Sequence, residues 1–191
     1  MKHLGKIVCG LLLAACGARA LEYTPDNKMP VPADYREWVF LTASMDLNYD
    51  EPVPGAAAMG HSMLDNIFVN PAAYKAFLAT GTWPDKTVLI KENRRAESAG
   101  ELSRSGKFQA EVMSLEIHVK DEARFDGKWG FFTSNGKLPG AFQPRTASCY
   151  SCHQDHAAVD TTFVQFYPTL FPIAKDKGVL SAAYLKDKAG K

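Results

Sequence analysis

Two cysteines and a histidine near the end of the chain form the pattern with the most definite chemistry. The sequence CYSCH occupies residues 149–153, so Cys149 and Cys152 are three positions apart and His153 follows directly. On a helix, residues at i and i+3 lie on one face, where each thiol could bond a haem vinyl group. The neutral imidazole of His153 would then supply an axial nitrogen to the iron. The pattern therefore predicts one covalently attached c-type haem.

Three other interpretations of the two cysteines stay open. A zinc site needs two more ligands; His156 could supply one, but the eight residues from Cys149 to His156 leave little room for a tetrahedron. A thioredoxin-like redox pair usually opens a helix in a βαβ unit, and no such pattern surrounds these cysteines. A plain disulfide is the third alternative. We favour haem over all three.

The N-terminal segment has the composition of a secretory leader. Residues 1–20 begin with two lysines, continue with an apolar stretch and end in ARA. This order is typical of a signal peptide, and the apolar stretch is too short to span a bilayer. We therefore expect cleavage after residue 20, a single haem domain over residues 21–191 and a periplasmic location. The sequence LAAC also resembles a lipoprotein cleavage site, so a lipid anchor at Cys16 is the alternative to a soluble protein.

Removal of the leader leaves a nearly neutral chain. The whole sequence has 22 basic and 21 acidic residues; three of the basic residues and none of the acidic ones lie in residues 1–20, which leaves 19 against 21. A formal charge near −2 provides no positively charged surface for nucleic acid or for anionic membranes. We expect no nucleic-acid partner.

The elements that must position the motif form a mixed pattern of strands and helices. Asn70 before Pro71 predicts the start of a helix, and Gly81 predicts its end. Ser148 is expected to cap the helix that carries CYSCH. The fold class predicted is α+β, an antiparallel β-sheet with flanking helices that enclose one c-type haem. Strands are predicted at residues 39–43, 66–70, 87–93, 111–120 and 129–133, and helices at residues 71–80, across the CYSCH motif and around residues 166–177.

The position of the motif distinguishes the chain from small electron-transfer cytochromes c. Those proteins usually have the motif near the N-terminus and a methionine downstream as second axial ligand, whereas only 38 residues follow His153 and none is Met. We expect a five-coordinate iron whose open face binds or transforms a small molecule. The upstream residues that could supply a sixth ligand are Met45, Met59, His61, Met63, Met113 and His118.

Several short stretches over most of the chain form a second pattern. They are YREWV at residues 35–39, VNP at 69–71 with Tyr74, TVLIKE at 87–92, CYSCH at 149–153 and DTTFVQFYP at 160–168. In order and spacing these stretches resemble the cytochrome P-460 family. The resemblance implies a secreted, sheet-rich haem c protein, often a homodimer, with an open distal iron site. Members studied as enzymes oxidise hydroxylamine to nitrogen oxides, and we expect a periplasmic electron acceptor.

Lys91 is the site residue that the resemblance adds. The family's hallmark is a lysine side chain bonded to a haem meso carbon, and Lys91 corresponds to it by its place in the strand. In an alternating strand Lys91 shares a face with Leu89 and Asn93, opposite Ile90 and Glu92. A lysine that faces an apolar haem is costly unless it is paired, deprotonated or covalently bonded; the alternative is a lysine in solvent. With the resemblance, we predict a haem-bonded, catalytic Lys91.

Hydroxylamine oxidation also requires a proton acceptor near the open face of the haem. The resemblance implies a carboxylate in the loop before the motif, but residues 134–148 contain no Asp or Glu. Glu92 and Glu97 are the candidates to replace it. The related cytochromes c′-beta lack the lysine link and bind gases such as nitric oxide and carbon monoxide. Non-catalytic gas binding is therefore the first alternative function, and simple electron transfer is the second.

The second ring nitrogen of His153 needs a hydrogen-bond acceptor if the first is to bind iron. Asp155, Asp160 or a backbone carbonyl could provide it. The aromatic residues Phe163 and Phe166 follow at near-helical spacing, which predicts that the C-terminal element packs on the His153 side.

Overall fold

The chain forms one six-stranded antiparallel sheet whose strands follow each other in sequence order. The computed structural model describes residues 21–47, 62–100 and 103–190. The predicted signal peptide, Cys16, Met59 and His61 lie outside these residues. Four helices accompany the sheet, so the predicted α+β class is confirmed. The strands β1 to β6 are Val39–Met45, Met63–Val69, Val88–Gly100, Ser103–Lys120, Trp129–Ser134 and Ala141–Phe142, and the helices α1 to α4 are Pro71–Thr80, Ser148–His156, Phe171–Asp176 and Ala182–Ala189.

Local signals place several element ends correctly. Helix α1 begins at Pro71, and Gly81 follows it in the left-handed region, with φ of 78°. Glycine adopts this conformation without the steric cost that a side chain would add. The residue before α2 is Ala147, so the prediction that Ser148 caps this helix is wrong by one position.

The predicted bounds differ most where pairing, rather than hydrophobic alternation, defines the element. Strands β3 and β4 are longer than predicted because their polar ends pair with each other, for example Glu97 with Phe108. The helix predicted around residues 166–177 is a 3₁₀ turn, Val164–Phe166, followed by the short helix α3. Pro168 lies between them, and proline cannot continue the hydrogen bonding of a helix.

The sheet separates two apolar clusters. Ile90, Ile117 and Phe132 are buried on one face, with the 3₁₀ turn Tyr35–Glu37. The opposite face is covered by α1, α2 and α3. Because side chains alternate along a strand, consecutive residues of β3 enter different clusters. The residues buried on this second face include Leu89, Phe131, Trp129, Phe77 and Trp83.

Within the described part of the chain, every helix falls short of the length and apolar character that a bilayer-spanning segment needs.

Candidate functional site

Helix α2 presents the two cysteines and the histidine of the CYSCH motif. Cys149 and Cys152 are one helical turn apart, half-buried, and do not form a disulfide with each other. Burial raises the pKa of the Cys149 thiol above its ordinary value. The helix therefore offers two thiols on one face, with His153 directly after them.

The ring of His153 is held in one orientation by its surroundings. Its Nδ1 lies 2.8 Å from the carbonyl oxygen of Thr161, and this hydrogen bond makes Nδ1 the protonated nitrogen. The backbone carbonyl, rather than Asp155 or Asp160, is therefore the acceptor. Burial lowers the pKa of His153, so that the imidazole is neutral near pH 7. The tautomer leaves Nε2 as the nitrogen that a metal could bind.

Three aromatic rings surround His153. The ring centroid of Phe163 lies 4.4 Å from that of His153, and the centroids of Phe131 and His118 each lie 4.8 Å away. Phe163 immediately precedes the 3₁₀ turn Val164–Phe166. The predicted packing of this C-terminal segment against the His153 side is thus observed at Phe163.

A cavity of about 250 Å³ lies between α2 and the sheet. This volume is several times the roughly 30 Å³ that one water molecule occupies in the liquid, so the space has room for a small molecule. The side chains around it combine apolar walls with a small polar cluster. The residues of its lining that matter here are Cys152, His153, Leu89, Lys91, Asp65 and Glu116.

Lys91 lies on the cavity wall between two carboxylates. Its Nζ is 3.2 Å from Oε1 of Glu116 and 3.7 Å from Oδ2 of Asp65. The contact with Glu116 follows from strand register, because Lys91 of β3 is paired directly with Glu116 of β4. Burial by itself would lower the pKa of Lys91, but the two carboxylates outweigh burial and raise it. The side chain is thus a paired cation that faces the cavity.

The two carboxylates differ in how well they are satisfied. Asp65 is only 5% exposed, and its Oδ1 has no hydrogen-bond partner among the described residues. Burial raises the pKa of Asp65 despite the opposing effect of Lys91. Burial also acts to raise the pKa of Glu116, but Lys91 and then His118 outweigh it and lower the value. Asp65 is therefore the better proton acceptor, and Glu116 is the closer counterion of Lys91.

Glu92 and Glu97, the bases considered from the sequence, do not line this cavity. Glu92 lies on the opposite face of β3, where its carboxylate accepts hydrogen bonds from Tyr35, Arg36 and Arg94. Burial would raise the pKa of Glu92, but these partners together lower it to about 2. Glu97 forms an ion pair with Arg95.

Sequence reasoning missed Asp65 and Glu116 as members of the site. Side-chain alternation along β4 places Glu116 and Ser114 on one face of that strand. The sequence does not show which residue of β3 lies beside Glu116, because strand propensity does not encode the register that pairs it with Lys91.

Among the candidate sixth ligands that lie within the described residues, His118 is the one in the cavity lining. Burial and the neighbouring His153 lower the pKa of His118 to about 3, so its ring is neutral. Met45 is more than half exposed on β1. The described part of the cavity lining contains no methionine.

The donor set of the site fits a c-type haem. Two thiols on one helical face, an imidazole whose Nε2 is left for a metal and apolar walls are the groups that such a cofactor requires. No cluster of three or more His, Cys, Asp or Glu side chains suited to a metal ion occurs among residues 21–47, 62–100 and 103–190. His156, the additional ligand considered for zinc, lies instead 3.3 Å from Oδ2 of Asp187 in α4.

Comparison with known proteins agrees with this donor set. The model of the family described as Cytochrome P460 matches residues 32–164 of the 191-residue chain. The match extends from just before the 3₁₀ turn Tyr35–Glu37 to the turn Val164–Phe166, and so includes the whole sheet, Lys91 and the CYSCH motif. No curated protein matches the chain significantly. Because the match covers well over half of the sequence, this chain is a haem protein that belongs to the cytochrome P460 family.

Proposed function

We propose that this protein carries one haem, bonded to Cys149, Cys152 and Lys91 with His153 as axial ligand, and that it oxidises hydroxylamine to a nitrogen oxide. The observation on which the proposal rests is that Lys91, Asp65 and Glu116 line the same cavity as Cys152 and His153. A bound haem would supply the iron and its redox chemistry. The residues of the chain would supply attachment, orientation and proton transfer.

Attachment through the cysteines requires no oxidant. Each thioether would form by addition of the S–H of one cysteine across one vinyl C=C bond, with sulfur bonded to one carbon and the hydrogen moved to the other. The spacing of Cys149 and Cys152 on α2 supports two such bonds to one macrocycle. His153, oriented by the carbonyl of Thr161, would then bind the iron through Nε2.

The lysine bond is an oxidative step. A C–N bond would replace one N–H of Lys91 and one C–H of the macrocycle, with release of two electrons and two protons to a two-electron oxidant of the peroxide class. The ammonium group must also lose the proton that gives it its charge. The carboxylates of Glu116 and Asp65, 3.2 Å and 3.7 Å from Nζ, are placed to accept protons from it.

Asp65 is the proposed base for substrate oxidation. Two hydroxylamine molecules yield one nitrous oxide and one water, and they release four electrons to an external acceptor together with four protons. The unpartnered Oδ1 of Asp65 can take protons from substrate in the cavity. If Lys91 has become a neutral secondary amine, the cation that lowers the pKa of Asp65 and Glu116 is gone. The crosslink would thus make both carboxylates stronger bases.

The decisive experiment is peptide mass spectrometry of the purified holoprotein. It should find the Lys91 peptide joined through haem to the peptide with residues 149–153, and Lys91→Arg should remove this species. Lys86→Arg is the matched control, because Lys86 is also paired with an aspartate but lies outside the cavity lining. Steady-state assays with hydroxylamine and an artificial electron acceptor should show turnover in the wild type and in the control. Turnover no greater than that of free haem would refute the enzymatic proposal.

Non-catalytic gas binding is the second candidate function. It is favoured by the ion pairs of Lys91, since a lysine that stays a cation neutralises the carboxylates on which proton transfer depends. In that case the Lys91 peptide would run free while haem stays on the cysteines, and the protein would bind nitric oxide or carbon monoxide without oxidising hydroxylamine. A low-spin spectrum with a strong-field second ligand would instead indicate an electron carrier.

The proposal also includes the cellular setting. The composition of residues 1–20 supports export to the periplasm, where the released electrons would pass to an electron acceptor. Fractionation of cells that express the full chain tests this directly. Labelling with a fatty acid would distinguish a lipid anchor at Cys16 from cleavage after residue 20, and gel filtration of the holoprotein would test for a homodimer.

A further inference from the structure

The carbonyl that accepts the hydrogen bond of His153 belongs to a turn with an uncommon backbone. Asp160 and Thr161, two consecutive residues with side chains, have φ of 51° and 57°. Each residue in the left-handed region costs roughly 1 kcal/mol or more, so two in succession persist only where the surroundings hold them. The turn is therefore held in place by contacts outside itself.

An ion pair between a buried lysine and a half-buried aspartate provides the first of these contacts. Lys120 of β4 is 6% exposed, and its Nζ donates to Oδ2 of Asp160 at 2.5 Å and to the backbone oxygen of Trp83 at 2.7 Å. Lys120 shares a strand face with His118 and Glu116, two and four positions earlier. The sheet face that lines the cavity thus extends to the turn behind His153.

Thr162 closes the turn from the other side. Its Oγ1 accepts from Nε1 of Trp83 at 2.7 Å and donates to the carbonyl of Val159 at 2.7 Å. The backbone N–H of Thr162 also donates to the carbonyl of Val159 at 2.8 Å. Trp83 therefore anchors both supports, through its carbonyl and its indole nitrogen.

We propose that Lys120 and Asp160 are positioning residues that set the strength of the iron–His153 bond. The pair holds the turn in the left-handed conformation, and the turn presents the carbonyl of Thr161 to Nδ1 of His153 at 2.8 Å. A firm hydrogen bond at Nδ1 increases electron donation from Nε2 to a bound metal. The ion pair would thus act on a bound iron through one neutral carbonyl, and neither Lys120 nor Asp160 lines the cavity. This inference rests on the axial role of His153 proposed above and not on hydroxylamine activity.

The test measures the ferrous holoprotein by resonance Raman spectroscopy and potentiometry. Asp160→Ala removes the ion pair and should lower the frequency of the iron–His153 stretching band and raise the midpoint potential. Asp160→Asn should restore most of the wild-type band, because asparagine tolerates the left-handed region and its amide oxygen can still accept from Lys120. Lys120→Met is a second route to the same loss and should shift the band in the same direction.

Asp121→Ala is the matched control. Asp121 is also buried and accepts from a lysine, Lys86, at 2.5 Å, but its side-chain hydrogen bonds within the described residues go to Tyr23 and Lys86 rather than to the turn. Its loss should lower the melting temperature and leave the band in place. If Asp160→Ala and Lys120→Met move the band no more than Asp121→Ala does, the positioning role is refuted and the pair is structural only. A wild-type holoprotein in which His153 does not bind the haem iron would refute the proposed iron–His153 bond, and this result is distinct from the effect of the ion pair.

Discussion

Lys91 and Glu92 are neighbours in β3, but Lys91 is a cation between two carboxylates, whereas Glu92 is a carboxylate between two arginines. Lys91 faces a cavity, where its Nζ lies 3.2 Å and 3.7 Å from two carboxylates, and Oδ1 of Asp65 has no hydrogen-bond partner in the described part of the chain. Glu92 faces the other side of the sheet, where two arginines and a tyrosine hydroxyl saturate its carboxylate. Side-chain alternation along one strand thus separates two charged clusters. The cluster around Lys91 includes a carboxylate oxygen without a hydrogen-bond partner among the described residues, whereas both oxygens of Glu92 accept hydrogen bonds.

The difference indicates what each cluster does. When a buried charge has all its hydrogen bonds, removal of either the charge or one of its partners leaves a buried group unpaired and destabilises the fold. A buried carboxylate with an unused lone pair gains from a bound molecule or a proton. Mutations on the Lys91 face should therefore change chemistry, and mutations on the Glu92 face should change stability.

The largest effect is expected from Asp65→Asn. Asparagine has the same shape as aspartate but cannot accept a proton, so kcat/KM for hydroxylamine should fall about 100- to 10,000-fold. Because burial raises the pKa of Asp65, the rising limb of the pH–rate profile should lie above the ordinary aspartate range near pH 4 and should disappear in the variant. Steady-state kinetics from pH 4 to 8 measure both effects. An unchanged kcat/KM would assign the proton transfer to another group.

Glu92→Gln should give the second-largest effect, on stability alone. The substitution leaves Arg36 and Arg94 without their common carboxylate, which should lower the free energy of unfolding by about 3 kcal/mol. Arg36 is more than half exposed, which keeps the loss at the lower end of the range for buried pairs. Urea denaturation measures the change, and hydroxylamine turnover should stay within about twofold of wild type. A large fall in turnover would show that the two faces are not independent.

The ionisation of Glu92 and that of Asp65 should change the free energy of unfolding in opposite directions as pH falls. The pKa of Glu92 is lowered to about 2 in the folded protein, so its stabilisation is present above the unfolded value near 4.3 and is lost as pH falls toward 2. The wild type should lose on the order of 2 kcal/mol over that interval relative to Glu92→Gln. The pKa of Asp65 is raised, so its ionisation destabilises the fold as pH rises, and Asp65→Asn should remove that slope. Urea titrations at several pH values compare the three proteins, and equal slopes would contradict the assignment.

The smallest effect is expected from Arg36→Lys. The guanidinium donates from both Nε and Nη2 to one oxygen of Glu92, at 2.9 Å and 2.7 Å. Lysine keeps the charge but offers a single point of contact, so the free energy of unfolding should fall by about 0.5 to 1 kcal/mol. A loss as large as that of Glu92→Gln would show that the geometry of the pair matters more than its charge.

Features encoded by a few adjacent residues could be predicted from the sequence. Asn70-Pro71 and Gly81 mark the two ends of α1, since proline and glycine act on the backbone at their own positions. The CYSCH spacing predicts two thiols on one helical face, because residues three positions apart lie about one turn apart. Strand alternation likewise predicts that Lys91 and Glu92 face opposite sides.

Features that depend on which strands meet, and in what register, could not be predicted. Asp65 and Glu116 reach Lys91 from β2 and β4, and their positions relative to Lys91 are set by the pairing register, which places Ile67 and Glu116 opposite Lys91. Glu92 was considered as a base because residues 134–148 contain no Asp or Glu. Its arginine partners, Arg36 in the N-terminal 3₁₀ turn and Arg94 on its own strand, are contacts that the sequence does not reveal. Only the folded chain reveals these contacts.

The sequential strand order has a consequence for how the molecule assembles. Each strand pairs only with its neighbours in the chain, so each pairing closes a shorter stretch of chain than a pairing of distant strands would, and shorter closures cost less entropy. Helix α2, by contrast, comes from a segment roughly sixty residues beyond Lys91. We therefore expect the sheet to form first, with Lys91, Asp65 and Glu116 already on one face. The cysteine-bearing helix α2 would dock onto that face afterwards. A large planar group tethered to that helix could then enter the cavity as the helix arrives, without any reopening of the sheet.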